Sequence, residues 1–204
     1  MQYENMRVAM RYEKGRKDAS RRRIIKVAGE RFRGDGIAAT GLASIMSEAG
    51  LTNGAFYPHF QSKAELVGES VAAALEVQTE QLQEIIASGG LDLAISSYLS
   101  AEHRDNPAEG CTLAALLPEL ARQPSEIRSL FAERLLDVSR QVSAALPPDT
   151  RDRETLAIAL QATLIGTLQL ARAVQGTALS DRILAAGADA ARALVHSSKV
   201  QNAR

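Results

Sequence analysis

The sequence predicts an all-α protein of about nine helices, with a small three-helix unit at its N-terminus and a larger helical body behind it. Three observations predict this. Apolar residues recur at three- and four-residue spacing along most of the chain. Ala, Leu and Arg are the commonest residues, while aromatic residues make up 4% and Trp is absent. That composition favours helices, because strands draw on β-branched and aromatic side chains. Glycines, prolines and short polar caps punctuate the periodic stretches.

The elements follow in order. Residues 1–17 are charged and weakly periodic, and read as a basic flexible arm. Asp18 or Ser20 is expected to cap a first helix carrying Ile24, Ile25, Val27, Ala28 and Phe32, which Gly34-Asp35-Gly36 stops. Thr40 is expected to cap a short second helix with Leu42, Ile45, Met46 and Ala49 on one face, ended by Gly50. Thr52 caps again, and Asn53 to His59 read as a second short helix, shortened or made irregular by Pro58. Asn53-Gly54 is also a hairpin signal, but neither flank alternates as strands would.

Ser62 with Glu65 forms a capping box that opens a long helix to about Ser88, and Gly89-Gly90 breaks it. Further helices are expected over Leu91–His103, over Cys111–Gln123 with Pro118 as a kink or a first turn, and from Pro124-Ser125 to before Pro147-Pro148. Two last helices cover Arg151 to about Gln175 and Ser180 to about Ser198. The expected domains are the arm at 1–17, the three-helix unit at 18–65 and the body at 66–204.

Charge sharpens this division. The chain is neutral overall, yet residues 1–62 carry eleven Lys and Arg against six Asp and Glu, a local +5 that the rest balances at −5. A basic head suits a polyanion and the body does not. The single cysteine, Cys111, excludes an internal disulfide and fits a reducing cytoplasm. No run of 18 apolar residues suggests a membrane span, and the basic N-terminus lacks the apolar run of a signal peptide. His59, His103 and His196 are scattered, without metal-ligand spacing. There is no P-loop, dinucleotide-binding or nucleophile-elbow motif. The expectation is no cofactor, no metal and no enzymatic activity.

The segment Thr40–Lys63, TGLASIMSEAGLTNGAFYPHFQSK, has the small turn residues and polar helix starts of a helix-turn-helix. It resembles the signature of the TetR family of transcriptional regulators. The matching positions are Gly36, Thr40, Leu42, Ile45, Ala49, Gly50, Leu51, Thr52, Gly54, Phe56, Tyr57, His59, Phe60, Lys63 and Leu66, within a likeness covering roughly residues 20–70. Gly41, where the family often has Thr or Ser, and Pro58 depart from the pattern.

The resemblance implies a ligand-responsive repressor, released from a palindromic operator by a small-molecule inducer or a thiol-reactive compound. It implies a homodimer in the cytoplasm, without a membrane partner. On this reading Thr52, Asn53, Gly54 and Ala55 approach base edges. Thr40, Tyr57, His59 and Lys63 meet phosphates, Gly41 lies beside them lacking one such contact, and Arg21, Arg22 and Arg23 grip the backbone or a minor groove. Phe56, Phe60, Leu42 and Ile45 read as core.

For the body, the resemblance points to a ligand site among Tyr98, Glu102, His103, Arg104, Cys111, Leu116 and Glu119. The stretch after Gly110 resembles family members that sense electrophiles or oxidants through a cysteine; a buried inert thiol is the other reading. Leu160, Leu164, Leu168, Ile183, Leu184 and Ala191 are expected at a two-fold dimer interface, or else packed within their own chain. The alternative functions are a helical dimeric small-molecule-binding module without DNA function, or an enzyme.

Overall fold

The computed structural model describes residues 2–200, with side chains described for 15–196. Among the described residues there are eight α-helices, one 3-10 turn and no strand.

The first helix, α1, spans Gln2–Asp35. Residues 15–20 are already helical, so Asp18 and Ser20 lie inside α1 rather than at its start. Lys, Arg and Ala are good helix formers, and an interior glycine such as Gly15 costs only about 1 kcal/mol. Most of the side chains of the expected arm lie outside those described. One face of α1 buries Ile24, Ala28 and Phe32 against α2 (Leu42–Glu48) and the start of α3 (Lys63–Tyr98).

The Ser62 hydroxyl accepts from the Glu65 N–H at 3.1 Å, and the Glu65 carboxylate accepts from the Gln61 N–H at 2.6 Å. The expected capping box thus opens α3, with its return bond one residue before the cap. Gly89 and Gly90 leave helical geometry and divide α3 into two pieces, as expected. The second piece stops at Tyr98 instead of running to His103. Ser100 ends the run by capping a new short helix, α4 (Ala101–Asp105), its hydroxyl accepting from the His103 N–H at 3.1 Å.

The next helix, α5 (Thr112–Leu120), ends soon after Pro118. A proline has no N–H for the carbonyl four residues back. That carbonyl, on Ala114, accepts from the Gln169 side-chain amide at 3.3 Å instead. Leu113, Leu116 and Leu120 of α5 join the same core as Phe32, Phe56 and Phe60, so head and body share one apolar cluster.

The remaining helices are α6 (Ser125–Ala145), α7 (Arg153–Ala173) and α8 (Ala178–Val200). The α7–α8 pair is the most extensively packed in the chain. The residues expected at a two-fold interface are used here. Leu160, Leu168, Leu184 and Ala191 are buried in their own chain, and Leu164 and Ile183 are half-buried in the same seams. α3 and α6 press on one side of the pair and take its larger apolar residues. Its outer side retains Ile158, Leu170 and Leu179, all at least half exposed or nearly so. α7 is long and apolar enough to cross a membrane by length and composition alone, but Ala157, Leu160, Leu168 and Ala171 are buried in the core.

The close approach of α7 and α8 rests on Gly187. A Cβ there would lie 2.7 Å from the Cβ of Thr167, an atom that no side-chain rotation removes. Gly187→Ala is expected to push the helices apart and destabilise the protein by about 1–3 kcal/mol, read from urea unfolding.

Candidate nucleic-acid interface and ligand cavity

The turn after α2 is a glycine-terminated cap. Gly50 has φ +69°, the Gly50 N–H donates to Ser47 O at 3.0 Å, and the Leu51 N–H donates to Met46 O at 2.9 Å. This is the Schellman pattern, in which the left-handed position favours glycine. It turns the chain so that the next segment crosses α2.

That segment is not the helix expected over Asn53–His59. A single 3-10 turn covers Asn53–Ala55, and tight turns continue to Phe60. Pro58 explains the difference. It has no N–H to offer the Gly54 carbonyl, and it disfavours helical geometry at Tyr57. Phe56 and Phe60 pin the segment from beneath: each is 1% exposed, and their rings stack with centroids 5.6 Å apart. Above them Thr52, Asn53 and Gly54 are exposed, whereas Ala55 is half-buried against the core. Tyr57 is 73% exposed, its ring set edge-on to Phe56 at 5.4 Å. A Cβ on Gly54 would meet nothing within 4 Å, so packing does not require glycine there.

Around this turn the expected contact residues divide. Arg22 is exposed, as are Arg16 and Lys17 one to two turns earlier on α1. Arg21 is paired with Glu69 and lies 4.8 Å over the Phe60 ring, and Arg23 donates to the Ala49 carbonyl at 3.2 Å. Both are therefore held by the fold. His59 is half-buried and its Nδ1 has no partner. Desolvation, then the charges of Lys17 and Arg21, push its pKa down, so the ring is held neutral.

Three expectations are corrected. Thr40 is 2% exposed and caps nothing; its hydroxyl donates to the Gly36 carbonyl at 2.7 Å, and exposed Gly41 takes the cap position of α2. Lys63 donates from Nζ to the Ile37 carbonyl at 2.5 Å rather than standing free. Glu119, expected at a ligand site, instead accepts from the N–H groups of Ile37 and Ala38 at 3.1 and 2.9 Å. Lys63 and Glu119 thus clamp the α1–α2 loop from opposite polar sides. A second tie between head and body is Arg33, whose Nε donates to the Ala108 carbonyl at 2.7 Å.

The body contains a cavity of about 280 Å³ lined by α3, α4, α5, α6 and α7. Its walls are mostly apolar, including Leu82, Ile85, Ile95, Val142, Leu160 and Leu164. Of the expected ligand residues, Tyr98, His103 and Cys111 line it together. The others do not. Glu102 is exposed, Leu116 belongs to the shared core, and Arg104 is buried against Asp105, Ser180 and Asp181. Gln78 and Gln161 also line the cavity and were missed in the sequence. Each is a polar residue inside an apolar helical stripe (Leu75–Gln78–Leu82 and Ala157–Gln161–Leu164), a pattern that could have marked them. Gln78 is spent on the backbone: it donates to Gly110 O at 2.8 Å and accepts from Thr112 N at 3.2 Å.

His103 organises the polar end. Its Nδ1 bonds the Tyr98 carbonyl at 2.7 Å, and its Nε2 accepts from the Cys111 N–H at 2.9 Å. Both bonds together require the neutral ring with its proton on Nδ1. Burial is the largest cause holding the His103 pKa below 6.5; the Tyr98 carbonyl opposes it and Arg172 adds to it. A base with a lowered folded-state pKa takes up its proton more readily when unfolded. Its contribution is therefore complete above pH 6.5 and is lost as pH falls below that value. The melting temperature is expected to drop between pH 7 and pH 5, with a smaller drop in His103→Asn.

A buried apolar base, a Schellman glycine turn and an exposed polar turn across α2 define a helix-turn-helix protein, here carried on a helical body with a cavity. Residues 24–69 match the sequence model of "Bacterial regulatory proteins, tetR family". The whole fold is similar to solved structures of such proteins. A TetR-family transcriptional regulator from Cytophaga hutchinsonii is 20% identical, covering 91% of this chain and 97% of that one, at a TM-score of 0.74. A TetR transcriptional regulator from Chloroflexus aurantiacus J-10-FL is 19% identical over 90% and 97%, also at 0.74. The reduced form of E. coli NemR is 17% identical over 85% and 95%, at 0.71. At these identities the likeness is one of fold. The search of curated proteins gave no match.

Proposed function

We propose that this chain is a sequence-specific DNA-binding transcriptional regulator of the bacterial cytoplasm. It represses as a homodimer on a palindromic operator and leaves when a small molecule, or a thiol-reactive compound reaching Cys111, occupies the cavity. It is a binding protein and not an enzyme.

The observation that carries this reading is the exposed turn Thr52–Tyr57. Its backbone is fixed by two buried phenylalanines, while Thr52, Asn53 and Gly54 are exposed and Tyr57 is largely so, touching only the edge of Phe56. Thr52, Asn53 and Gly54 meet base edges, with Ala55 beside them; Tyr57, His59, Gly41 and Arg22 meet phosphates. The exposed Ile158, Leu170 and Leu179 on the outer face of α7 and α8 support a dimer interface there, where two such helix pairs make a four-helix bundle.

Release requires the ligand to favour one conformation over another, since equal affinity for both shifts nothing. The ties from the body to the α1–α2 loop, through Glu119 and Arg33, supply a route for that bias.

The test is anisotropy with a labelled duplex between 50 and 200 mM salt. Affinity is expected to fall by orders of magnitude, and Arg22→Ala to reduce the salt slope by about one. Salt-independent binding, or none, contradicts the proposal.

A further inference from the structure

The polar groups in the cavity are not all used. The Tyr98 hydroxyl is buried, has no oxygen or nitrogen partner and lies beside the Cys111 thiol, while its ring packs edge-on to His103 at 4.8 Å. Gln161 is 8% exposed; its Oε1 lies 2.8 Å from the Ser139 hydroxyl, and its Nε2 has no partner. The Ser139 hydroxyl also lies 3.0 Å from the Leu135 carbonyl and has one proton to give. Whichever way the Gln161 amide is turned, one of its polar atoms is left without a bond. A buried donor without a partner carries a desolvation penalty of about 1–3 kcal/mol. Two of them on the wall of one cavity are groups waiting for a ligand.

His103 has both ring nitrogens committed in the neutral form, so it offers no cation. Glu109, the acid among the lining residues, is exposed at the rim. The uncharged polar lining residues include Gln78, Gln81, Ser97, Tyr98 and Gln161, and the lining holds no Lys or Arg. Arg172, whose charge reaches Tyr98 and His103, is not among the lining residues and donates from Nε and Nη2 to the Arg104 and His103 carbonyls at 3.1 and 2.7 Å. A carboxylate placed inside would lose its hydration without a cation on the wall, and an ammonium would find only the solvent-exposed Glu109.

We infer that the cavity takes an uncharged, largely hydrocarbon molecule with a hydrogen-bond-accepting oxygen, such as a ketone. The Tyr98 hydroxyl donates to that oxygen, and Gln161 offers a second polar contact one turn of α7 before Leu164 and Ile165. This rests on the ligand-responsive reading of the cavity but not on DNA binding. The volume of about 280 Å³ sits at the small end of ligand pockets, which suits a molecule of about two rings.

The test is calorimetry on the full chain with three probes of one shape: benzophenone, diphenylmethane and 4-benzoylbenzoate. None needs to react with Cys111. The ketone is expected to bind about ten-fold more tightly than the hydrocarbon, the worth of one buried hydrogen bond, and the anion more weakly than either. In Tyr98→Phe the ketone advantage is expected to vanish while diphenylmethane binds within two-fold of the unaltered protein, which also checks that the variant folds. Should that variant not fold, the ranking of the three probes on the unaltered protein decides. Tightest binding of the anion, no ketone advantage, or no binding of benzophenone overturns the inference. DNA binding of the same preparation is read separately, so loss of this inference and loss of the regulator reading are told apart.

Discussion

Phe60→Ala is expected to lower the free energy of unfolding by about 3–5 kcal/mol, the range for emptying a buried phenylalanine site. Phe60 is 1% exposed and stacks on Phe56 on one side. The Arg21 guanidinium lies 4.8 Å from its ring, and Arg21 is itself tied to Glu69 of α3. Removing the ring opens a cavity, unseats Phe56 and leaves Arg21 without its platform. The same cluster contains Leu116 and Leu120, so the loss is felt in the body as well. Urea unfolding followed by circular dichroism checks this, with a lower midpoint expected at an unchanged slope. Tyr57→Ala, three residues away but 73% exposed, is expected to change stability far less.

Asn53→Ala is expected to weaken binding to the selected operator by about 5- to 150-fold, the range for one good base contact, while binding to unrelated duplex stays nearly constant. Asn53 is exposed at the start of the 3-10 turn, where a side-chain amide can pair with an adenine edge. Tyr57→Ala is expected to behave differently, because the phosphate contact proposed for it carries no sequence information. It is expected to weaken operator and unrelated DNA alike. Competition binding on both duplexes separates the two residues. Equal losses on both for Asn53→Ala would place it on the backbone instead.

What could be read from the sequence is what local chemistry decides. The Ser62–Glu65 box, the Gly50 turn and the Gly89-Gly90 break are each set by a few adjacent residues, and each stands where the spacing puts it. Phe56 and Phe60 as core followed from size and apolarity. What could not be read depends on partners distant in sequence. Lys63 and Glu119 are polar residues whose partners lie 26 and 82 positions away in the α1–α2 loop. Thr40 looked like a cap because nothing local revealed that its hydroxyl turns back to Gly36. Leu160, Leu168 and Leu184 illustrate a different limit. Helical periodicity tells which face is apolar, but not whether its own chain or a second copy covers it. Pro58 was visible, yet its consequence, a 3-10 turn in place of a helix, depends on Phe56 and Phe60 holding the segment down.

The central claim is that the exposed turn reads DNA sequence as part of a two-fold assembly. Selection of the folded, ligand-free protein on random duplexes tests it most directly. The expected result is enrichment of an inverted repeat whose half-sites lie one helical turn, about 34–36 Å, or a multiple of it apart. Recovery of no enriched sequence from protein shown to be folded would contradict it.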